Sequence, residues 1–333
     1  MPKRKIILFT VLNWGLGHAT RSIPIIYQYL NQGYQVVIAS DGESLLFLKN
    51  EFYNLTFEEL PSYRIRYSKS SFFFLPTLFF QLPHFIITYF KEKNIIAQLA
   101  KKYQPHLIIS DNRFGSSLKG IKSIYITHQL RVFSGFFTFI TTFFHRLIYK
   151  KYDEIWVPDY EQEPSLSGKL GHFNAHKKIK YIGPLTRLKK YHLKKKYDVL
   201  VILSGPEPQR SILKNKLLKQ LSVLPIQVAL VAGKVELNQE LKQYKNIHIY
   251  NFLKTQALND LINASEIIIS RSGYTSVMDL ILLQKKVIWI PTPGQKEQEY
   301  LAIHLNNVYG YPFLPQDDLH FINHLIQRYL DTH

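Results

Sequence analysis

Strand-like and helix-like segments alternate along this chain, and the alternation runs twice. The first run predicts a strand at Lys5–Leu12, a helix at Ser22–Leu30 and a strand at Gln35–Ser40. It continues with short strands at Leu107–Ser110, Ser123–Thr127 and Glu154–Val157. Strands that alternate with helices form a parallel sheet with helices on both faces.

The same rhythm restarts at Asp198. It predicts strands at Asp198–Leu203, Gln227–Val231 and Ile247–Tyr250, and helices at Arg210–Leu221, Thr255–Asn263 and Leu319–Leu330. Between the two runs, residues 177–197 carry nine Lys or Arg and no acid, which is typical of a solvated connection. We therefore predict an α/β protein of two Rossmann-like, doubly wound domains, residues 1–186 and 187–333. The last helix is expected to pack either on its own domain or back on the N-terminal one.

Composition limits the chemistry that the chain can perform. The 333 residues include no cysteine, so disulfides, thiol nucleophiles and zinc–thiolate sites are excluded. The formal net charge is +18, which attracts phosphate groups of nucleotides, nucleic acid or an anionic membrane surface. Charge alone does not choose among these three partners.

The N-terminus has basic residues before an apolar run, as a signal peptide does. The run from Ile6 to Leu12 is short for a signal peptide, and no small-residue cleavage site follows it. A first β-strand is the better interpretation. No segment has the roughly 20 uncharged apolar residues of a membrane-spanning helix. We expect a cytoplasmic protein that can lie at the inner face of the plasma membrane.

Two segments are rich in aromatic residues and flanked by basic ones, residues 71–90 and 133–149. The second segment has apolar side chains at helical spacing: Phe136, Ile140, Phe143, Phe144 and Leu147. One interpretation is a pair of core helices. The other is a surface that dips into a bilayer, with the basic flanks on anionic headgroups. The sequence leaves both interpretations open.

The stretch from Ile267 to Ala302 predicts an anion site. An apolar strand ends in Arg271-Ser272-Gly273 and turns directly into a helix. The first N–H groups of a helix lack intrahelical partners, and the helix dipole is positive there. Arg271 is expected to add a positive charge beside them. This turn is therefore expected to hold a phosphate or diphosphate.

The loop after the first strand is glycine-rich and ends in a histidine. Gly15 and Gly17 begin a G-x-G-x-x-G pattern, but Thr20 stands where the last glycine belongs. Asp41, at the end of the second strand, is placed as the ribose-binding acid of nicotinamide-dependent enzymes is. A nicotinamide site is therefore one alternative. His18 is expected to act as a general base at neutral pH or to cap the first helix.

Four motifs together carry a family resemblance. They are Gly15–His18, the loop Ser204–Arg210, the turn Arg271–Gly273 with Asp279 two turns further on, and Pro293–Tyr300. In these places the chain resembles the GT-B glycosyltransferases of family 28, the MurG-like UDP-N-acetylglucosaminyltransferases. The resemblance covers nearly the whole chain and is most specific in the C-terminal half.

The resemblance implies roles for individual residues on the donor side. It implies diphosphate contacts at Ser204, Gly205, Arg271, Ser272 and Gly273, base contacts at Phe252 and Leu253, a ribose contact at Asp279, and sugar contacts at Gln298 and Glu299. Asp279 stands where the family has Glu, and Glu299 stands where it has a second Gln. The identity of the donor sugar therefore stays open.

On the acceptor side, the resemblance implies that His18 is the catalytic residue. Gly15 and Gly17 form the loop beside it, and Asp111 is expected to line the site or to cap its own turn. Thr127 and His128 end a strand on the same side, where the family has His-Glu-Gln-Asn.

The function implied is sugar transfer from a nucleoside-diphosphate sugar, a UDP-hexose or UDP-N-acetylhexosamine, to a hydroxyl acceptor. A lipid-linked acceptor and an anionic membrane surface are expected partners. The reaction is expected to invert the anomeric carbon and to need no cofactor and no metal. The alternatives are a UDP-sugar epimerase of the same fold, a nicotinamide-dependent enzyme and, last, a nucleic-acid-binding protein.

Overall fold

The computed structural model describes residues 5–64, 74–173, 177–205, 207–234 and 240–331, with backbone only for 74–80. It divides into two compact units, Met1–Leu185 and Thr186–His333. The division falls one residue before the boundary expected from the sequence.

The first unit contains a seven-stranded sheet in the order β3-β2-β1-β4-β5-β6-β7. Its strands are β1 Ile6–Val11, β2 Gln35–Ser40, β3 Thr56–Glu59, β4 Leu107–Asp111, β5 Lys122–Ile126, β6 Glu154–Val157 and β7 Ile179–Tyr181. Its helices are α1 Gly17–Asn31, α2 Gly42–Glu51, α3 Phe74–Tyr103 and α4 Thr138–Tyr149. All of these strands pair in parallel, so their carboxyl ends share one edge of the sheet.

The centre of this sheet is apolar on both faces. Strand β1 has the sequence IILFTV and is buried from its second residue onward. Its Leu8 packs with Val37, Ile96 and Ile108 in one core cluster under α3. Continuous apolar runs of this kind form the inner strands of a parallel sheet covered by helices.

The second unit contains a six-stranded sheet in the order β10-β11-β9-β8-β12-β13. Its strands are β8 Tyr197–Ile202, β9 Val228–Val231, β10 Leu241–Tyr244, β11 Ile247–Tyr250, β12 Ser265–Ser270 and β13 Lys286–Trp289. Its helices are α5 Gln209–Leu221, α6 Thr255–Asn263, α7 Tyr274–Leu282, α8 Lys296–Tyr309 and α9 Ile322–Asp331. Only the β10–β11 pair is antiparallel. The predicted fold class is confirmed.

Helix α9 packs on its own unit. Ile322 and Ile326 are buried in the core cluster that also holds Leu213 and Leu217 of α5. The apolar face of α9 is therefore used there. That the last helix also packs back on the N-terminal domain stays a prediction.

Several elements differ from the sequence-based expectation. Helix α1 starts at Gly17, five residues before the predicted Ser22, because the second half of the glycine loop is already helical. Helix α2 and strands β3, β7 and β10 were not predicted. Helix α2 has a weak apolar periodicity, and it starts at Gly42, whose φ of 52° places it in the left-handed region.

The aromatic segments form helices with exposed apolar faces. Phe136 is 95% exposed and Phe139 is 82% exposed, and on α4 Ile140, Phe143, Phe144 and Leu147 are exposed as well. The buried residues of α4 are Thr142, His145 and Tyr149. The core-helix interpretation of α4 was therefore wrong. Residues 71–73 lie outside the described part of the chain. Among the described helices, none has the length and hydropathy that a membrane crossing requires.

Candidate active site

His18 and Asp111 meet at the carboxyl edge of the first sheet. Gly15, with a φ of 72°, turns the chain at the end of β1, and His18 lies in the first turn of α1. Strands β1 and β4 are neighbours, and Val11 lies opposite Asp111 in their register. The Nδ1 atom of His18 is 2.8 Å from Oδ1 of Asp111, which is fully buried. The sequence placed both residues at this edge but did not predict that they pair.

Arg21 completes this cluster, and the sequence did not reveal it. One helical turn after His18, its Nε donates to Oδ2 of Asp111 at 2.7 Å, and its Nη1 donates to Nδ1 of His128 at 2.8 Å. Arg21 is 2% exposed. An arginine on the buried face of an amphipathic helix was the available signal, because such a charge needs a partner. We name His18, Arg21, Asp111 and His128 the histidine cluster.

The charges of the histidine cluster control its protonation. Burial alone would raise the pKa of Asp111, but Arg21 and His18 hold it well below its usual range. Burial and then Arg21 lower the pKa of His18, while Asp111 opposes them. His18 is therefore neutral at physiological pH. Its Nδ1 atom lies 2.8 Å from Oδ1 of Asp111 and 2.9 Å from Nη2 of Arg21, so these two residues hold the ring at that atom.

The remaining acceptor-side candidates lie at the same edge. Thr127 follows β5, is 1% exposed, and its Oγ1 accepts a hydrogen bond from the Gln129 amide at 3.1 Å. His128 is 7% exposed and belongs to the histidine cluster. Thr127 therefore has a local structural contact, whereas His128 is joined to the catalytic candidate through Arg21.

Asp41 does not offer a free carboxylate for a ribose. It is 3% exposed, accepts from Nη1 of Arg113 at 2.5 Å and from Nδ2 of Asn13 at 3.3 Å. Arg113 also pairs with the fully buried Glu92 of α3 at 3.3 Å. The nicotinamide alternative therefore loses the acid on which it depended.

Three loops meet at the carboxyl edge of the second sheet. They follow the neighbouring strands β8, β12 and β13. The Oγ of Ser272 donates to the carbonyl of Gln298 at 2.8 Å. A Cβ added to Gly205, whose φ is 94°, would lie 4.0 Å from Oγ1 of Thr292. The predicted diphosphate residues Ser204, Gly205, Ser272 and Gly273 thus lie around the start of α7.

Two buried hydroxyls at this edge have no partner among the described residues. They are Oγ of Ser270, the last residue of β12, and Oγ1 of Thr292, which follows β13. Their residues are 2% and 3% exposed. Gly273 is the N-cap of α7, and no side chain caps the helix there. Unpaired hydroxyls beside an uncapped helix start favour the binding of an anion. We name Gly205, Ser270, Gly273 and Thr292 the helix-start site.

Arg271 holds the loops of this edge together, and the contribution of its charge to anion binding stays a prediction. Its side chain is fully buried, and its guanidinium donates to the carbonyls of Gln209, Ile290 and Pro291 and to Oε1 of Gln316. Burial lowers the pKa of Arg271 to about 10. Arg271 thus ties the ends of β12 and β13 to the start of α5, and it supports the helix-start site from inside the unit.

Gln298 and Glu299 hold the loop that precedes α8. Oε1 of Gln298 accepts from the Thr292 amide at 2.9 Å, and its Nε2 donates to Gln295 at 2.5 Å. Glu299 accepts from the Gly294 amide at 2.9 Å and from Lys296 at 2.8 Å. Their contacts to a donor sugar stay predictions.

Asp279 lies in the second turn of α7 and is partly buried. Oγ1 of Thr186 donates to its Oδ1 at 2.6 Å. Burial raises the pKa of Asp279 to about 6, against the opposing effects of Arg187 and Thr186. Phe252 and Leu253 follow β11 at the same edge and are each 7% exposed. Their base contacts and the ribose contact of Asp279 stay predictions.

Comparison with known proteins gives the class of this protein. Residues 200–332 match the glycosyltransferase family 28 C-terminal domain. An uncharacterized glycosyltransferase of Methanosarcina mazei is 22% identical over 320 residues, covering 89% of this chain and 81% of that protein.

Solved structures share the architecture at low identity. The MurG structure of Acinetobacter baumannii superposes with a TM-score of 0.60 at 13% identity, covering 97% of this chain and 90% of that one. The spinosyn rhamnosyltransferase SpnG, complexed with thymidine diphosphate, gives 0.61 at 13% identity, covering 93% and 86%. The protein is therefore a glycosyltransferase with the GT-B fold. Within that class it is family 28-like, because residues 200–332 are similar to the C-terminal domain of that family. The predicted resemblance is confirmed.

Proposed function

We propose that the protein transfers a hexose or N-acetylhexosamine from a UDP-sugar to an acceptor hydroxyl. The observation that carries this proposal is the helix-start site, where an uncapped helix and two unpaired hydroxyls lie at one sheet edge. The thymidine diphosphate bound to SpnG supports a nucleoside diphosphate as the ligand class. Asp279, on the same helix, is the proposed ribose ligand.

The helix-start site suits the leaving group of this reaction. When the bond to the sugar breaks, negative charge grows on the diphosphate. Backbone N–H groups at a helix start, with Oγ1 of Thr292 beside them, stabilise such charge without reorganising. We propose that these groups make a divalent metal unnecessary.

The histidine cluster suits the attack of the acceptor. Neutral His18 takes the proton of the acceptor hydroxyl on Nε2, while Asp111 holds Nδ1 and stabilises the imidazolium that forms. Direct attack by the deprotonated hydroxyl on the anomeric carbon inverts its configuration. Arg21 keeps Asp111 ionised, so the acceptor proton remains on His18.

The first experiment is a donor panel measured by calorimetry in the presence of EDTA. UDP-glucose, UDP-galactose, their N-acetylamino analogues and thymidine-diphosphate sugars are compared with free uridine. We expect one UDP-sugar to bind more tightly than uridine, since the diphosphate adds the helix-start contacts. If no nucleotide sugar binds, the proposal fails.

Two further outcomes would point to other functions. Conversion of a UDP-sugar to its isomer without acceptor would identify an epimerase. Binding of RNA with a steep salt dependence, together with no response to UDP, would identify a nucleic-acid-binding protein.

We further propose that the acceptor is lipid-linked and that α3 and α4 contact the membrane. Both helices expose apolar faces, which include Ile86 and Phe90 of α3 and Phe139 of α4. Phe85 and Tyr89 of α3 share one cluster with Ile148 of α4, so the two faces are neighbours. We name this surface the aromatic face.

Basic residues border the aromatic face and suit an anionic headgroup layer. Lys91 and Lys150 are exposed, and Nζ of Lys151 donates to the Tyr89 hydroxyl at 2.8 Å. Apolar residues that enter the headgroup region beside lysines bind anionic lipid more strongly than neutral lipid.

The test is sedimentation with phosphatidylglycerol vesicles and with phosphatidylcholine vesicles. A Phe136→Ser, Phe139→Ser, Phe143→Ser triple variant should bind anionic vesicles at least about tenfold more weakly, because three exposed rings no longer enter the lipid. Tyr53→Ser is the matched control, since Tyr53 is 85% exposed and follows α2. Equal binding of the triple variant and the control would refute the membrane contact.

A further inference from the structure

Asn112, directly after Asp111, has an unusual backbone conformation. Its φ is 58°, in the left-handed region that side chains other than glycine rarely adopt, although asparagine tolerates it best. Its amide donates to the carbonyl of Ile126 at 3.2 Å. The direction in which the chain leaves Asp111 therefore depends on Asn112 keeping this conformation.

A tyrosine holds the side chain of Asn112. The hydroxyl of Tyr125 on β5 donates to Oδ1 of Asn112 at 2.7 Å, and Tyr125 is fully buried. Burial, and next the neighbouring Tyr152, raise the pKa of Tyr125 well above its usual value. The hydroxyl therefore keeps its proton and remains a donor at any pH at which the protein is folded.

The same hydroxyl is bound on its other side by helix α4. Nε2 of His145 lies 3.0 Å from the Tyr125 oxygen, and His145 is 8% exposed. Burial lowers the pKa of His145 to about 4, so the ring is neutral near pH 7. The Tyr125 hydroxyl is thus hydrogen-bonded to Asn112 on one side and to His145 on the other, and it links the Asn112 turn to α4.

We propose that Asn112, Tyr125 and His145 are positioning residues for the His18–Asp111 pair. The side-chain contacts of Asp111 with His18, Arg21 and Ser22 all come from α1. The Asn112 turn fixes the carboxylate from the opposite side, through β5 and α4. This inference rests on the proposed function, in which His18 is the base, and on the sensitivity of proton transfer to small displacements.

The hydrogen bonds of His145, Tyr125 and Asn112 also connect the aromatic face to the sheet edge that carries Asp111. Helix α4 exposes Phe139 and Phe143 on one side and buries His145 on the other. The path from α4 to His18 passes through three hydrogen bonds, of 3.0 Å, 2.7 Å and 2.8 Å. A disturbance of α4 at His145 thus reaches the turn that carries Asp111.

The first test measures the pKa of His18 by NMR titration of the full chain, with its signal assigned by its loss in His18→Gln. Three ionisable groups act on this ring, Asp111, Arg21 and His128, and only Asp111 raises its pKa. Asp111→Asn should therefore lower the pKa of His18. Tyr125→Phe should lower it in the same direction by less, because the carboxylate is less firmly held.

The activity readout separates positioning from binding. In Tyr125→Phe, kcat should fall about tenfold while KM for the nucleotide sugar stays the same. Tyr149→Phe is the control, because Tyr149 is a buried tyrosine of the same apolar cluster at the end of α4. It should change neither kcat nor the pKa of His18.

Substitutions at Asn112 test the turn itself. Glycine adopts a left-handed φ without strain, whereas alanine does not. Asn112→Gly should therefore keep the pKa of His18 closer to that of the wild type than Asn112→Ala does. In the Asn112→Gly background, Tyr125→Phe should have no further effect, because its hydrogen-bond partner is already gone.

The outcomes distinguish this inference from the proposed function. An unchanged pKa of His18 in folded Tyr125→Phe, or an equal effect of Tyr125→Phe in both backgrounds, would overturn the positioning role and leave the proposed function standing. Absence of nucleotide-sugar binding by the wild-type protein would overturn the proposed function, while the titration would still report on the turn.

Discussion

The two units build different sites at the same place in the same kind of sheet. In the first unit, four ionisable side chains at the carboxyl edge contact one another, and Arg21, Asp111 and His128 among them are buried. In the second unit, the edge presents backbone and small hydroxyls, and its arginine is turned inward onto carbonyls. A parallel sheet thus supplies only the location. The neighbouring residues decide whether the edge presents ionisable side chains or backbone groups and hydroxyls.

The two units also differ in what their buried arginines contact. Arg21 contacts the other members of the histidine cluster and helps to hold the pKa of Asp111 well below its usual range. Arg271 is just as buried but contacts carbonyls and an amide, so it holds loops in place. Two buried arginines at equivalent edges therefore have different partners, which are ionisable side chains in one unit and neutral carbonyls and an amide in the other.

The largest effect is expected at the proton-transfer site. His18→Gln should reduce the rate of sugar transfer by about 10²–10⁴-fold, because the proposed general base is lost. Nucleotide-sugar affinity, measured by calorimetry, should not change, because the helix-start site belongs to the second unit. His106→Gln, at the exposed amino end of β4, is the control. A comparable loss of donor affinity in His18→Gln would contradict the division of roles.

The next effect should be on stability and should come from Arg271. Arg271→Met should lower the free energy of unfolding of the second unit by about 2–4 kcal/mol, because buried carbonyls lose a charged donor. Urea unfolding measures it. Lys216→Met, which breaks an exposed ion pair with Asp317, should cost only about 0–1 kcal/mol. Equal costs would mean that Arg271 is not the internal support described above.

A smaller effect with a definite pH dependence is expected at Asp279. Its folded-state pKa of about 6 lies above the ordinary 3.8. Folding therefore favours the protonated form, and stability falls as the pH rises from the lower value through the higher one. Asp279→Asn removes this loss. It should raise the free energy of unfolding by roughly 1–2 kcal/mol at neutral pH and have little effect in acid.

Ligand binding should respond to Asp279→Asn in the opposite sense to stability. The affinity of the Asp279→Asn variant for uridine should fall about tenfold, since a charged acceptor of the ribose hydroxyls is lost. If Asp279→Asn is more stable than the wild type and binds uridine equally tightly, Asp279 does not contact the donor.

The smallest effect is expected at Thr292. Thr292→Val should weaken UDP binding by about fivefold, because one neutral hydrogen bond to the diphosphate is lost. Uridine, which has no phosphate, is the control ligand and should bind equally to both proteins. Equal weakening of uridine would place Thr292 away from the diphosphate.

The sequence predicted the architecture well where hydrophobic runs were clear. Helix α6 was predicted with its observed ends, and strand β11 likewise. The start of α1 was misplaced because glycine-rich sequence was interpreted as loop. Such errors are local, since the periodicity of the apolar residues still determined the order of strands and helices.

The sequence predicted individual residues of the site but not which of them contact one another. Asp111 and His18 were both candidates, yet their hydrogen bond joins residues 93 positions apart and depends on the pairing of β1 with β4. The role of Arg271 depends on Gln209 and Gln316, which come from distant parts of the chain. Local sequence contains no signal for contacts of this kind.

Strand β10 has a consequence for handling the protein. It lies at an outer edge of its sheet, all four of its residues are exposed, and no strand among the described residues pairs with its outer side. Leu241 and Tyr244 would favour such pairing, whereas the charge of Lys242 between them opposes it. Replacing Lys242 by Val should make concentrated solutions precipitate. Solubility can thus be tested at this strand separately from sugar transfer.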